Sequence, residues 1–325
     1  MSSASEILSI LSDGKFHSGE QLGKILGISR SAVWKNVKAL SRYGLVIHSV
    51  KGKGYRLSKP IEYLRKDEIW SSIDKEITPV LGKLTILDVI DSTNQFLLNI
   101  IDKHEFHAHC VFAEFQTAGR GRRGHGWVSP YASGITFSTG WYFDTPPDYL
   151  TSISLGAGVA IIRTLHRLGI DSAGLKWPND VFWSDRKLGG SLVELRAEPA
   201  GPCKVVVGIG INYSFPERKT GLIDQPWIDM AGIQTALISR NLFAAALISE
   251  LIKILLQIQN DGVGNIINEW RKFDVMKGKQ ATLFLTGTSI NGRLLGIDDT
   301  GALLMSVNDS VKKFNSGEIS LRVRN

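Results

Sequence analysis

The residues best suited to chemistry in this 325-residue chain lie between Gln116 and Trp127, in the run Gln-Thr-Ala-Gly-Arg-Gly-Arg-Arg-Gly-His-Gly-Trp. Gly119, Gly121, Gly124 and Gly126 allow backbone conformations closed to other residues, so a ligand can come close to the main chain. Arg120, Arg122 and Arg123 can surround a phosphate, because guanidinium donors match its oxygens two at a time. The run lacks the closing Gly-Lys-Ser/Thr of a P-loop, and no helix pattern follows its glycines as in a dinucleotide-binding fold. Taken alone it suits an anion-binding loop or a flexible RNA-binding one.

Other segments carry polar groups of the same kind. Lys176-Trp177-Pro178-Asn179-Asp180 is an extended turn between apolar strands, and Asp185-Arg186-Lys187-Leu188-Gly189-Gly190 places a lysine before a close Gly-Gly approach. Such a lysine suits an anionic group, although each segment by itself is also an ordinary surface turn. Asp91-Ser92-Thr93-Asn94-Gln95 opens a helix whose buried side is Phe96, Leu97, Ile100 and Ile101, with Ser92 and Gln95 as a capping box. The free N–H groups and hydroxyls of that helix start suit a ureido oxygen, a carboxylate or a phosphate, or serve as capping alone. Val205 to Asn212 is a buried strand whose glycines leave room for a flat ligand and which ends on polar Asn212. His104, His107, His109 and Cys110 invite a metal reading, but their spacing fits no standard zinc pattern. His109 and Cys110 should point to opposite faces of a strand, so a solvated connecting loop is expected.

The elements that position these groups follow from periodicity. Leu84–Leu87 and Cys110–Phe115 read as strands leading into the Ser92 helix and the glycine-arginine loop. Upstream, Ile7, Leu8 and Leu11 share one helix face ending at Asp13-Gly14. Ser18 to Gln21 caps a second helix with Leu22, Ile25 and Leu26 buried. Ser29 caps a third with Val33, Val37 and Leu40 inside, stopped at Tyr43-Gly44. Leu45–His48 and Gly54–Leu57 then form a hairpin around Lys51-Gly52-Lys53. This is a winged helix-turn-helix. Its third helix leaves Arg30, Ser31, Trp34, Lys35 and Lys38 outside, where they can meet bases and phosphates, with Lys51 and Lys53 on the wing. Trp34 can equally pack on a neighbouring helix or the wing, and a winged helix can also serve protein contacts. From residue 281 on, short strands divided by Gly, Asp and Asn turns predict a small SH3-like barrel, the last strand running Ile319–Arg322.

Charge sharpens this division. The formal charge of +7 is held entirely by residues 1–60, which carry ten Lys/Arg against three acids; the remainder has 28 of each. A polyanion partner for the first segment is physically sensible. The hydrophobic content of 43% is that of a folded soluble protein, and no run of about 18 uncharged apolar residues suggests a membrane span. Cys110 and Cys203 lie too far apart in sequence to suggest a disulfide framework, and a reducing cytoplasm is expected.

Together, Ser92-Thr93-Asn94, Gln116 with the Gly119–Gly124 loop, Lys176–Asp180 and Asp185–Gly190 resemble the bifunctional biotin protein ligase and biotin operon repressor family of bacteria. The match runs from the helix-turn-helix to Gly317–Arg322. The resemblance implies an α+β chain: a winged helix-turn-helix over 1–62, a class II synthetase-like mixed α/β catalytic domain over 63–273, and an SH3-like domain over 274–325. It implies that biotin carboxylate attacks the α-phosphate of ATP, carried with Mg²⁺, and that the resulting biotinyl-5′-adenylate biotinylates a lysine of a biotin carboxyl carrier protein. The adenylate would also act as corepressor, with a homodimer binding operator DNA. Biotin would contact Ser92, Thr93, Asn94, Gln116, Gly119, Arg120, Gly121, Arg122, Lys187 and Gly190. The nucleotide would meet Arg120, Arg122, Trp127, Asn179, Lys187 and Asn212. Lys187, Arg122 and Asp180 would carry the chemistry, Asp180 orienting the acceptor lysine or a metal, with Leu192 lining the cleft. His125-Gly126 departs from the more basic sequence expected before Trp127, and residues 212–226 correspond to a segment that orders over adenylate in the family. A ligase without operator binding, a repressor that only senses biotin, and a lipoate ligase are the alternatives.

Overall fold

The computed structural model describes the chain except residues 1–2, 145–150, 198–201, 217–222, 224, 235, 286–287, 316–319 and 324–325. At the N-terminus, α1 (Ser3–Leu11), α2 (Gly19–Leu26) and α3 (Arg30–Leu40) precede the hairpin β1 (Ile47–Val50) and β2 (Gly54–Leu57). Ser18 and Ser29 accept from the N–H groups of Gln21 and Ala32, satisfying donors that the first helical turn leaves free. Ile7, Leu8, Leu11, Leu22, Val33, Val37 and Leu40 form the expected core. Ile25 does not join it: it is 57% exposed. The buried face of α2 is centred on Gly19, Leu22 and Gly23, and Ile25 projects beyond it. The first wing strand also starts two residues later than its apolar run predicts, because pairing is set by the turn at 51–53, with Ile47 opposite Leu57.

The central unit is a seven-stranded sheet in the order β3-β4-β5-β9-β8-β7-β6. Its strands are β3 (Leu84–Ile90), β4 (Cys110–Gln116), β5 (Gly134–Phe143), β6 (Gly174–Lys176), β7 (Asp180–Trp183), β8 (Arg186–Ala197) and β9 (Cys203–Asn212). β3 and β4 are parallel and every other pairing is antiparallel. β8 begins at Arg186, so the Lys187–Gly190 segment read as a lead-in is itself strand.

One sheet face packs Phe112, Phe137, Ile209 and Ile211 against α6 (Thr151–Arg167) and α7 (Arg240–Asp261), with α8 (Gly264–Lys272) and α4 (Lys66–Ser72) at the margins. α7 is long and apolar enough to cross a membrane by composition, yet 72% of that stretch is buried inside the protein. The other face bears α5 (Thr93–Asn99) and is built of small residues. Cross-strand register aligns Ser138, Gly208 and Leu192 in one row, and Thr136, Gly210, Gly190 and Asp180 in the next. Side chains two apart share a face, so these rows floor a cleft.

The C-terminal strands β10 (Gln280–Leu285), β11 (Thr288–Ile297), β12 (Leu303–Val307), β13 (Ser310–Phe314) and β14 (Ser320–Val323) form an antiparallel sheet in the order β13-β12-β11-β10-β14. This is the connectivity of a small SH3-like unit. Residues 317–319, expected to begin its last stretch, lie outside the described residues.

A buried polar clamp joins the segment after the wing to the sheet. Arg240, 1% exposed, donates to Glu114 at 2.9 Å and to the Gly134 carbonyl at 2.8 Å. Glu114 also accepts from the Leu64 N–H at 2.7 Å, and Glu62 accepts from the Arg240 N–H at 2.9 Å. The charges are thus both paired and hydrogen-bonded, the condition for tolerating burial.

Candidate active site

The small-residue floor, α5 and the 116–127 loop enclose a cleft of about 800 Å³, within the range of cofactor-sized sites. Ser92, Thr93, Asn94 and Gln116 line one end. Ser92 caps α5 by accepting from the Gln95 N–H, but the capping box is half made. The Gln95 side chain donates to Asn99, and the Ser92 N–H donates to Asp91 instead. Gln116 Oε1 accepts from the Thr93 N–H at 2.8 Å and from the Thr93 hydroxyl at 3.1 Å. Ser138, fully buried, stands 2.7 Å from Thr93 Oγ1 and 2.6 Å from Asn94 Oδ1.

Across the cleft lie the charged groups. Lys187 Nζ is 2.7 Å from Asp180 Oδ1 and 5.9 Å from the centre of the Trp127 ring. Arg122 reaches Asn179 Oδ1 at 3.4 Å; burial presses its pKa below the ordinary guanidinium value, with Asp180 opposing and Arg123 reinforcing the shift. Asn179 is braced by donating to the Ser191 carbonyl at 2.6 Å. Arg120 lines the cleft, but its guanidinium pairs with Glu194 at 2.9 Å. Asn212 donates to the Lys187 and Ile228 carbonyls, fixing the chain beside the lysine. Gly121 and Gly190 also line the cleft; a Cβ on Gly190 would meet Asp180 Oδ1 at 3.0 Å.

Gly119 is the one expected ligand contact that does not line the cleft. It forms the neck of the loop instead, accepting from the Trp127 N–H at 2.8 Å, and a Cβ there would meet the Trp127 carbonyl at 2.6 Å. Arg120 and Gly126 bridge as an antiparallel pair, so the loop is a closed hairpin despite His125-Gly126. The glycines of β9 likewise serve protein groups: a Cβ on Gly208 would strike Asn94, and one on Gly210 the Trp127 indole. Gly210 thus seats the flat Trp127 ring.

Ser138, Thr136 and Glu194 went unnoticed in the sequence. The alternation Ile135-Thr136-Phe137-Ser138 signals a polar face on β5, whereas Glu194 carries no local signal. The C-terminal sheet also supports the cleft, which its residue types did not suggest. Trp177 Nε1 donates to the Gly301 carbonyl at 3.0 Å, Lys279 pairs with Asp185 at 2.8 Å, and Leu321 joins the lining.

The histidine group is dispersed. His109 is buried, 2.9 Å from Thr85 Oγ1, and His107 Nδ1 accepts from the Tyr142 N–H. Among the described residues no cluster of three or more His, Cys, Asp or Glu could hold a metal.

Residues 86–212 match the profile of the biotin/lipoate A/B protein ligase family, residues 4–56 an HTH domain, and residues 278–322 the biotin protein ligase C-terminal domain. The chain is 39% identical to the bifunctional ligase/repressor BirA of Salmonella typhimurium over 318 residues, covering 97% of this chain and 96% of that one. The chain belongs to the biotin protein ligase family. The Escherichia coli bifunctional ligase/repressor BirA is 38% identical, with 98% of this chain and 96% of that one covered. A biotin protein ligase from Aquifex aeolicus, solved in complex with biotin and ATP, shares the fold with a TM-score of 0.64. It is 24% identical and covers 75% of this chain and 100% of its own.

In this biotin protein ligase the surface expected to face nucleic acid is open. Arg30, Ser31, Lys35, Lys38, Lys51 and Lys53 are exposed, and none is in an ion pair among the described residues. Trp34 is 52% exposed, with Lys38 Nζ 5.2 Å from its ring centre.

Proposed function

We propose that this chain joins biotin to ATP as biotinyl-5′-adenylate in the cleft, passes biotin to a lysine of a biotin carboxyl carrier protein, and represses biotin genes through its head. The observation that carries the reading is one cleft with a neutral hydrogen-bonding end, at Thr93, Gln116 and Ser138, and a cationic end, at Arg122 and Lys187. A bicyclic urea fits the first and a carboxylate meeting a phosphate fits the second. Arg122 and Lys187 would neutralise charge as biotin's carboxylate oxygen bonds to the α-phosphorus and pyrophosphate leaves. Such preorganised donors need no reorientation during the step. Asp180, which now holds Lys187, would orient the acceptor amine. That amine displaces AMP from the carbonyl carbon, forming the amide and giving up a proton. Mg²⁺ would arrive on the ATP phosphates and supply further charge neutralisation there.

We divide the chain at 62/63 and 273/274, between β2 and α4 and between α8 and β10. The exposed cations of α3 and the wing would contact operator DNA, with a homodimer spanning two half-sites. Two buried, unpaired cysteines fit a reducing cytoplasm, Cys110 being pushed up to about 12 by burial. Incubation with labelled biotin, Mg-ATP and a carrier domain, with lipoate as competitor, should label the carrier with biotin alone. Lipoate transfer in preference to biotin, or no transfer, would overturn the ligase assignment. Salt-dependent binding to a two-fold symmetric operator should tighten with biotinyl-adenylate and vanish when residues 1–60 are deleted; intact binding without them would overturn the DNA reading.

A further inference from the structure

Phe16 lies in the connection between α1 and α2, and its ring carries two cations of the wing. Lys53 Nζ is 5.9 Å from the ring centre and Arg56 Cζ 4.7 Å, both inside the roughly 6 Å over which a ring face attracts a cation. Neither side chain has a hydrogen bond or an ion pair among the described residues, and Arg56 Nε is buried without a partner. The ring is what holds them.

The backbone brings ring and cations together. The His17 N–H donates to the Tyr55 carbonyl and the Tyr55 N–H to the His17 carbonyl, both at 2.9 Å. The connection therefore runs as a third, antiparallel strip beside β2, tied at its start by His17 Nε2 to Asp13 at 3.1 Å. That register sets Phe16 opposite Arg56, and opposite residues share a sheet face. The face is the outer one, because Leu57, next along β2, is buried in the core of the head. Gly54 permits the approach: its φ is +98°, and a Cβ there would meet Ser18 Cα at 2.6 Å. Ser18 caps α2, so the strip that holds the wing also starts the helix pair.

Two cations three residues apart repel each other, and unheld lysine and arginine side chains sample many rotamers. The negative face of the ring offsets that repulsion from one side. The donors on the other side stay free, since Lys53 is exposed and the terminal nitrogens of Arg56 are open to solvent. We propose that Phe16 is a positioning residue for DNA binding, holding Lys53 and Arg56 as one pair of phosphate contacts, and that Arg56 thereby joins the surface of the head that meets DNA.

This inference rests on the reading of the head as DNA-binding, and the test separates the two. Affinity of the full chain for a mixed-sequence DNA duplex is measured against salt, because phosphate contacts act on any sequence and each contributes about 1 to the slope of log affinity against log salt. Arg56→Ala should lower the slope by about 1. Phe16→Leu, which keeps apolar bulk without a ring face, should lower it by about 1 or more, whereas Phe16→Tyr keeps the face and should keep the slope. Adding Arg56→Ala to Phe16→Leu should then change the slope far less than it does in the wild-type chain. A merely structural Phe16 would lower the melting temperature and leave the slope as it was. An unchanged slope in Phe16→Leu, or full additivity of the two substitutions, overturns the inference alone. If Phe16→Leu does not fold, an unchanged slope in Arg56→Ala overturns it. A wild-type chain with no salt-dependent binding to the duplex overturns the DNA reading and the inference with it.

Discussion

The head and the cleft both depend on positive charge but hold it in opposite ways. In the head Arg30, Lys35, Lys38, Lys51 and Lys53 stand in water without ion-pair partners among the described residues. In the cleft Lys187 is held by Asp180, a pair largely shielded from solvent, and Arg120 by Glu194 in a more open one. Exposed, uncompensated charge acts at a distance and is screened by salt, which suits a polyanion met along its length. Paired charge inside a cleft is already oriented, and an incoming anion competes with a carboxylate for a fixed cation. One chain thus holds exposed, unpaired cations in its head and paired ones in its cleft.

The largest effect should come from the most deeply buried pair. Arg240→Ala leaves Glu114 buried without its partner, and equilibrium denaturation should show a loss of about 3–5 kcal/mol. Replacing both residues with apolar ones of similar volume should recover much of it; no recovery would mean that the clamp acts through its other hydrogen bonds. Next, Lys187→Ala should slow adenylate formation about 10²- to 10³-fold, read from pyrophosphate release. If the cleft charge is a local device, that factor should change little with moderate salt, and strong salt dependence would erase the contrast with the head.

The head variants should show smaller effects of the opposite character. Lys35→Ala or Lys38→Ala should each lower the slope of log affinity for DNA against log salt by about 1. A slope untouched by both would remove those lysines from the phosphate contacts. The smallest effect concerns a paired charge in the C-terminal sheet, outside the cleft lining. Burial alone would raise the Asp298 carboxyl, but Lys313, Thr300 and the Ala302 N–H hold it down at about 2. Since the folded value lies below the unfolded one, its stability contribution is present above about pH 4 and disappears as pH falls through 2. Thermal melts of wild type and Asp298→Asn should therefore converge over that window and differ steadily above it.

The legible parts of this molecule were those governed by close neighbours along the chain. Ser18 and Ser29 announced helix starts because a hydroxyl three residues before an amide satisfies it locally. The glycines of the 116–127 run pointed to a tight loop, which its bridge between Arg120 and Gly126 makes, and Lys187, Asp180 and Arg122 line one cleft, with Lys187 paired to Asp180. Where the sequence misled, the next layer decided. Ile25 continues an apolar pattern but lies off the face that α1 and α3 cover. Gly119, Gly208 and Gly210 make room for the protein's own chain and side chains, which no local pattern showed.

What the sequence determined by itself was therefore the elements, their caps, the uneven placement of charge and the polar groups available for chemistry. Each depends on side-chain type and on spacing within one or two turns. Only the tertiary structure decided which of those groups meet: Glu114 with Arg240, 126 residues apart, and Glu194 with Asn94, 100 apart. Such pairs follow from cross-strand register and from the helices laid over the sheet. A shift of one residue in β8 would turn Glu194 to the opposite face while leaving its sequence unchanged.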